Sequence, residues 1–386
     1  MAAPLTSSHP LALYIHWPFC VSKCPYCDFN SHVRDQVDQA QWRAALLADL
    51  AHEAALTEGR TLGSIFFGGG TPSLMDPVTV AALIDAAAKH WTFAPGIEIT
   101  MEANPNSAEA ARFADVAAAG VNRLSLGLQA LDDGALKFLG RAHDVGEGLA
   151  ALDAAQHAVP RVSIDLIYAR PGQSVARWEA ELARALAFGT EHLSLYQLTI
   201  EPGTRFETDV RLGNLTPADP DQAAALFELT QAMTASARRP AYEVSNHAAP
   251  GAESRHNLAY WRYADYVGVG PGAHGRRGGL ATTRHKKPEN WLGALDRNGH
   301  GLQEERPLGA EERAGEALMM GLRLAEGVDL ADVAARTGVA QEALVDEAAV
   351  WRLAGHGLLA RHGDRLTVTP QGMLLLDGIL GEIVAV

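Results

Sequence analysis

The stretch Tyr14–Asn30 reads YIHWPFCVSKCPYCDFN and holds all three cysteines of the chain, Cys20, Cys24 and Cys27. Their spacing is C-x3-C-x2-C, on a loop that follows the apolar run Leu11–His16. Three thiolates on one short loop can hold three corners of a cubic [4Fe–4S] cluster and leave the fourth iron open to a ligand. A disulfide framework would use an even number of cysteines in a small secreted chain, and neither condition holds. A zinc site would need a fourth ligand, such as His16 or His32, and usually shows two paired half-sites. Idle buried cysteines would be scattered rather than clustered.

Outward from this loop, short β-rich runs alternate with amphipathic segments. The strands expected are Leu11–His16, Ser64–Phe67, Ile97–Glu102, Arg123–Leu128, Arg161–Ile167 and His192–Leu198. Helical patterns fall at Trp42–Ala55, Val78–His90, Ser107–Ala119, Gly146–His157 and Val175–Ala187. Such alternation predicts an α/β fold with a parallel sheet. Six units are fewer than a closed eight-stranded barrel needs, so a partial (β/α)6 barrel is expected. The domain reading is a flexible tail over 1–10, the barrel over 11–240, an irregular Gly-, His- and aromatic-rich segment over 241–309, and a compact domain over 310–386. Helices at Glu311–Arg323, Leu330–Thr337 and Ala340–Ala354, a hairpin through Leu359 and Leu366–Val368, and a last helix near Gly372–Ile379 give that domain a winged-helix-like α+β outline.

With 386 residues the chain can bury a large core. Its 32 basic and 46 acidic residues give a net charge of −14, which argues against broad electrostatic binding to nucleic acid or an anionic bilayer, and against DNA binding by the winged-helix-like part. No stretch approaches the roughly 20 apolar residues of a membrane span. MAAPLTSSHP lacks the basic and apolar regions of a secretory signal. A thiolate loop without disulfide partners suits the reducing cytoplasm.

The cysteine triplet with Tyr26 before the last cysteine resembles the signature of the radical S-adenosylmethionine (SAM) family. YIHWPFC narrows the resemblance to the branch of HemN, the oxygen-independent coproporphyrinogen III dehydrogenase, and HemW, a heme chaperone. It runs from Leu11 to the C-terminal tail, and its motifs recur in order. It implies the same partial barrel, with a [4Fe–4S] cluster on Cys20, Cys24 and Cys27. SAM would chelate the open iron, and the reduced cluster would break a C–S bond of its sulfonium.

Functional groups of parallel α/β folds collect at the carboxyl ends of strands. Gly68-Gly69-Gly70-Thr71-Pro72 stands there, with N–H groups able to bind a carboxylate. By resemblance Gly69, Gly70 and Thr71 hold the amino-acid end of SAM, and Tyr14 and Glu102 also contact it. Asp165 lies inside an apolar run, which costs several kcal/mol unless it is paired, and Arg141 is its expected partner. The resemblance places Tyr26, Gln129, Arg141 and Asp165 at a second SAM. His256, Asn257, Tyr260 and Trp261 form an HNxxYW element, which the resemblance links to heme. His256 would lie at or near the heme iron, with His247 and His274 as alternatives. Gly268–Gly275 would form a flexible wall, and Arg276 and Arg277 would meet the propionates.

HemN carries a fourth cysteine two positions after the third and a longer N-terminal extension. This chain has Phe29 at that position, and ten residues precede its first strand. Both departures point to a heme chaperone that delivers heme to acceptor hemoproteins and uses the cluster, with SAM, for stability, dimerisation or regulation. Membrane contact, implied for a donor to respiratory enzymes, would run through a protein partner or a transient surface. The alternative is the dehydrogenase, which oxidatively decarboxylates coproporphyrinogen III to protoporphyrinogen IX; Gln129, Arg141 and Asp165 keep it open.

Overall fold

The computed structural model describes residues 9–386, so the expected tail over 1–10 lies almost wholly outside the described residues. The barrel runs β1 Leu11–Trp17, α1 Gln39–Leu56, β2 Thr61–Gly69, α2 Pro77–His90, β3 Thr92–Ala103, β4 Arg123–Gln129, α3 Val145–Ala158, β5 Arg161–Tyr168, α4 Val175–Leu186 and β6 His192–Gln197. These strands lie side by side in sequence order and all pair in parallel. The expected helix over Ser107–Ala119 is two short ones, Ser107–Ala110 and Phe113–Ala118. Glu109, in the first of them, is buried and accepts from the Asn104 N–H at 2.8 Å.

Side chains alternate across a strand, and here the two faces differ in kind. Ile65, Phe67, Ile99, Met101, Leu124, Leu126, Ile164 and Leu193 belong to the apolar core shared with α1–α4. Ser64, Glu98, Thr100, Arg123, Ser163, His192 and Ser194 occupy the other face, are also buried, and bond to one another. Ser163 Oγ lies 2.7 Å from His192 Nδ1, and Arg161 donates to Glu98 at 2.8 Å. A buried polar interior of this kind persists only when its members are satisfied.

The segment over 241–309, expected to be irregular, is ordered sheet. After α5 Pro220–Ser236 come β7 Asn246–Ala248, α6 Arg255–Trp261, β8 Tyr266–Val269, β9 His274–Arg277, β10 Leu280–Arg284, α7 Pro288–Asn298 and β11 Leu302–Pro307. β7 pairs antiparallel with β6, while β8 pairs parallel with β1 and continues through β9, β10 and β11. One eleven-stranded sheet results, in the order β11-β10-β9-β8-β1-β2-β3-β4-β5-β6-β7. Glycine and polar content masked these strands because the run makes tight approaches. A Cβ on Gly268 would stand 2.0 Å from the His274 carbonyl oxygen, and one on Gly270, at φ 99°, 2.4 Å from that of His16. Gly268–Gly275 is thus a packed turn and not a flexible wall.

Arg276 and Arg277, expected at propionates, are committed inside the protein. Arg276 donates to the Ala264 carbonyl and lies 3.5 Å from the Tyr263 ring centre. Arg277 joins a buried ion cluster between α1 and the added strands. It donates to Glu53 at 2.7 Å, while Arg284 donates to Asp49 at 2.6 Å and Glu53 at 2.9 Å.

The C-terminal domain comprises α8 Ala310–Gly321, β12 Val328–Asp329, α9 Leu330–Thr337, α10 Glu347–Gly355, β13 Leu359–His362, β14 Arg365–Val368 and α11 Leu376–Ile383. The hairpin β13–β14 and three-stranded sheet match the winged-helix-like outline, around a core that includes Leu318, Leu330, Leu366 and Ile383. The helix expected over Ala340–Ala354 is shorter: a single turn over Gln341–Ala343 precedes it, and Asp346 caps it.

Asp49→Ala leaves Arg284 buried with half its charge partners. The expected loss is about 3–5 kcal/mol, the usual cost of breaking a buried pair. Urea denaturation against wild type measures it.

Candidate cluster and cofactor site

The cysteine loop is strapped over the barrel mouth by a short parallel pairing of Phe19–Cys20 with His32–Val33. It faces a cavity of about 960 Å³ lined by Cys20, Cys24 and Cys27 and by the ends of β2–β6. All three thiols are free. Burial pushes the Cys20 and Cys27 thiols up. Side-chain donors stand near each sulfur: Thr71 Oγ1 at 3.5 Å from Cys20, Arg141 Nη1 at 3.5 Å from Cys24, and Ser31 Oγ at 3.9 Å from Cys27, with Ser31 also beside Cys20 and Tyr26 beside Cys24. Among the described residues no group of three His, Cys, Asp or Glu is gathered at metal-ligand distances. His16, a suggested zinc ligand, is held by the Tyr14 hydroxyl and the Asn30 carbonyl, both at 2.9 Å. Burial lowers it to about 4.

Gly69, Gly70, Thr71, Glu102, Gln129, Arg141, Asp165 and Tyr26 all line the cavity, while Tyr14 lies outside its lining. The N–H groups of the glycine turn are not free for a carboxylate, contrary to expectation. Gly69 N–H donates to Glu102 at 3.1 Å, Gly70 N–H to the Trp17 carbonyl at 2.7 Å, and Thr71 N–H to the Phe19 carbonyl at 2.8 Å. Close approach is what the glycines supply. A Cβ on Gly69 would meet the His16 ring at 2.6 Å, and one on Gly70 would meet Phe19 O at 2.7 Å and Cys20 Sγ at 3.0 Å.

The expected Arg141–Asp165 pair does not form. Arg141 Nη2 donates instead to Asn104 Oδ1 at 2.6 Å and the Gly127 carbonyl at 3.1 Å. Asp165 accepts from Ser125 Oγ at 3.1 Å. Burial raises Asp165 to about 6, against hydrogen bonds from Ser194 and Ser125. Burial and then the Asp165 charge raise Glu102 to about 8. Gln129 sits at φ 64°, a left-handed backbone that non-glycine residues rarely hold outside functional sites.

His256 is buried at the lower end of the lumen and outside the cavity lining. Its Nδ1 lies 3.0 Å from Ser64 Oγ and its Nε2 3.0 Å from Tyr260 OH, and its ring stacks on Phe66. Burial pushes it down to about 3. Neither ring nitrogen is free to meet iron in this arrangement. Asn257 donates to the Tyr242 hydroxyl at 3.3 Å. The Arg323 guanidinium, part of the cavity lining, lies 5.2 Å over the Trp261 ring. His247 is buried, and His274 is exposed on β9.

Sequence reasoning missed Asn104, Ser31, Ser125, Tyr196 and Arg323 as lining residues. Asn104 had a signal, since it shares the EANP run with Glu102.

The Radical SAM superfamily pattern matches residues 14–185, and the HemN C-terminal domain pattern matches 308–375. The heme chaperone HemW of Escherichia coli is 38% identical over 383 residues, which cover 96% of this chain and 97% of that one. The chain belongs to the radical SAM superfamily, in its HemN/HemW branch. Within the same branch, the bovine mitochondrial radical S-adenosyl methionine domain-containing protein 1 is 43% identical over 335 residues, 84% of this chain and 76% of that one. Coproporphyrinogen III oxidase (HemN) from Escherichia coli, a radical SAM enzyme, superposes with a TM-score of 0.82 over 96% of this chain and 89% of that one. At 23% identity that likeness shows the fold. Radical SAM membership implies a [4Fe–4S] cluster and SAM. The donor chemistry fits: three free, hydrogen-bonded thiols face one roomy cavity. Among the described residues no helix is long and apolar enough to cross a membrane.

Glu102 ionises at about 8 when folded, against an ordinary 4.5. Between these values the unfolded chain has shed a proton that the folded chain keeps, so this group lowers stability as pH rises through the window. Glu102→Gln is expected to gain stability over wild type from pH 5 to pH 8, read as urea midpoints of cluster-free protein. A constant difference would contradict the raised value.

Proposed function

We propose that the chain is a heme chaperone: it binds heme, passes it to acceptor hemoproteins, and carries a SAM-ligated [4Fe–4S] cluster on Cys20, Cys24 and Cys27. The observation that carries this reading is Phe29. It stands where HemN has its fourth cysteine, lines the cavity mouth, and is 60% exposed. The heme-chaperone names of full-length relatives support the same reading.

Gly69, Gly70, Thr71 and Glu102 would hold the SAM nearest the open iron, with Tyr14 bracing His16 beneath it. When bound, the cluster can deliver one electron to the sulfonium of SAM. The chain's part is to shield and orient: Glu102 is positioned by the Gly69 N–H and retains a proton near neutral pH. His256, Asn257, Tyr260 and Trp261 are the proposed heme-linked element. For His256 to ligate iron, α6 must release it from Ser64 or Tyr260. A homodimer and a cytoplasmic setting belong to the same proposal.

A second reading, coproporphyrinogen III dehydrogenase, has one observation in its favour. Tyr26, Gln129, Arg141 and Asp165 face the same cavity as the three cysteines. Anaerobic reconstitution with SAM, dithionite and coproporphyrinogen III separates the two, with product followed by chromatography beside a heme titration. No product and saturable stoichiometric heme binding are expected; protoporphyrinogen formation would make the protein an enzyme.

Cys24→Ser is expected to lose the iron and sulfide that wild type takes up, and unchanged contents would sink the cluster assignment. His256→Ala is expected to weaken heme binding at least tenfold and to keep the cluster. Unchanged heme affinity with a lowered melting temperature would confine His256 to the core.

A further inference from the structure

We propose that Asn104 is a positioning residue for the cluster loop, its side-chain amide tying the hydrogen-bond donors of Cys20 and Cys24 into one chain. This rests on the reading of the three cysteines as cluster ligands.

The polarity of the chain follows from its donor-only member. Arg141 has no acceptor, so the Asn104 atom 2.6 Å from its Nη2 is the amide oxygen. The amide nitrogen then faces Thr71 Oγ1 at 3.0 Å and donates to it. With that bond accepted, the Thr71 hydroxyl directs its own proton to Cys20 Sγ at 3.5 Å. At the other end the planar guanidinium, fixed through Nη2 by Asn104 and the Gly127 carbonyl, aims Nη1 at Cys24 Sγ at 3.5 Å. Asn104 is itself anchored, since its N–H donates to buried Glu109 at 2.8 Å. Cys27 stands outside the chain, with Ser31 as its neighbour.

The consequence is electrostatic. Reduction adds negative charge that is shared with the ligand sulfurs, and donors to those sulfurs stabilise it and raise the potential. Two of the three sulfurs each take one donor from a group that this amide orients, Thr71 at Cys20 beside Ser31 and Arg141 at Cys24 beside Tyr26. Asn104→Asp keeps the shape and reverses the Thr71 end. The hydroxyl then donates to the new carboxylate and abandons Cys20.

The test is an EPR-monitored redox titration of the anaerobically reconstituted full chain, with iron and sulfide assayed in parallel. Asn104→Asp is expected to keep its cluster and to show at least a tenfold smaller reduced fraction at fixed poise, a fall of about 59 mV for one electron. Thr71→Val should lower the midpoint, and Thr71→Ser should restore it. In the Asn104→Asp/Thr71→Val double variant the shift should be less than the sum of the single shifts, because both act through one bond. Additive shifts, or a wild-type midpoint in Thr71→Val, overturn the proposal. Where Asn104→Asp takes up no cluster, the Thr71 pair decides: equal midpoints in Val and Ser overturn it. A wild-type protein that takes up no iron and sulfide fails earlier, at the cluster reading itself.

Discussion

A carboxylate buried inside a sheet must be answered by donors, and Glu98 is answered on every side. Arg161 donates to it at 2.8 Å, the backbone N–H groups of Arg255 and His256 at 3.1 and 3.2 Å, and Ser254 Oγ at 3.3 Å. The helix carrying His256 is thereby docked onto the polar face of β3 and plugs the lower lumen. An unanswered charge there would cost several kcal/mol, so plug and barrel depend on each other. The same strand face continues upward through Thr100 to Glu102, and Asn104 follows in the next turn. One row of alternate residues thus runs from the floor of the lumen to the cluster loop.

That row carries the site from fully buried Glu98 and Thr100 to partly buried Glu102 and Asn104 at the cavity. The glycine turn at the end of β2 spends its N–H groups on Glu102, on Trp17 at the end of β1 and on Phe19 beside Cys20. Its contribution to a cofactor is therefore shape and close approach. Two carboxylates deep in the cavity, Glu102 and Asp165, form no ion pair with a guanidinium. Their raised values follow from burial and, for Glu102, from the neighbouring charge.

Much of the barrel was legible in the sequence because β-rich runs and helical faces alternate at spacings that few other folds share. The cysteines were legible because a loop motif keeps its ligands local. Less legible was the segment over 241–309, where glycines needed for tight packing read as disorder of pattern. Arg276 and Arg277 looked available to heme propionates because their counter-charges, Glu53 on α1 and Glu316 on α8, are distant in sequence. The Arg141–Asp165 pairing failed for the same reason: Asn104 and Cys24 compete for the guanidinium, and their nearness appears only after folding.

By itself the sequence determined the α/β alternation, the three-cysteine loop, the strand-end positions of Glu102 and Gln129 and the place of Asp165 within its strand, since all of these depend on spacing along one segment. Tertiary structure alone decided where the His256 helix docks, which donors reach each sulfur and which arginines are spent inside. These are contacts between residues dozens to hundreds of positions apart. Their outcome turns on which buried charge is answered first, and no local pattern encodes that competition.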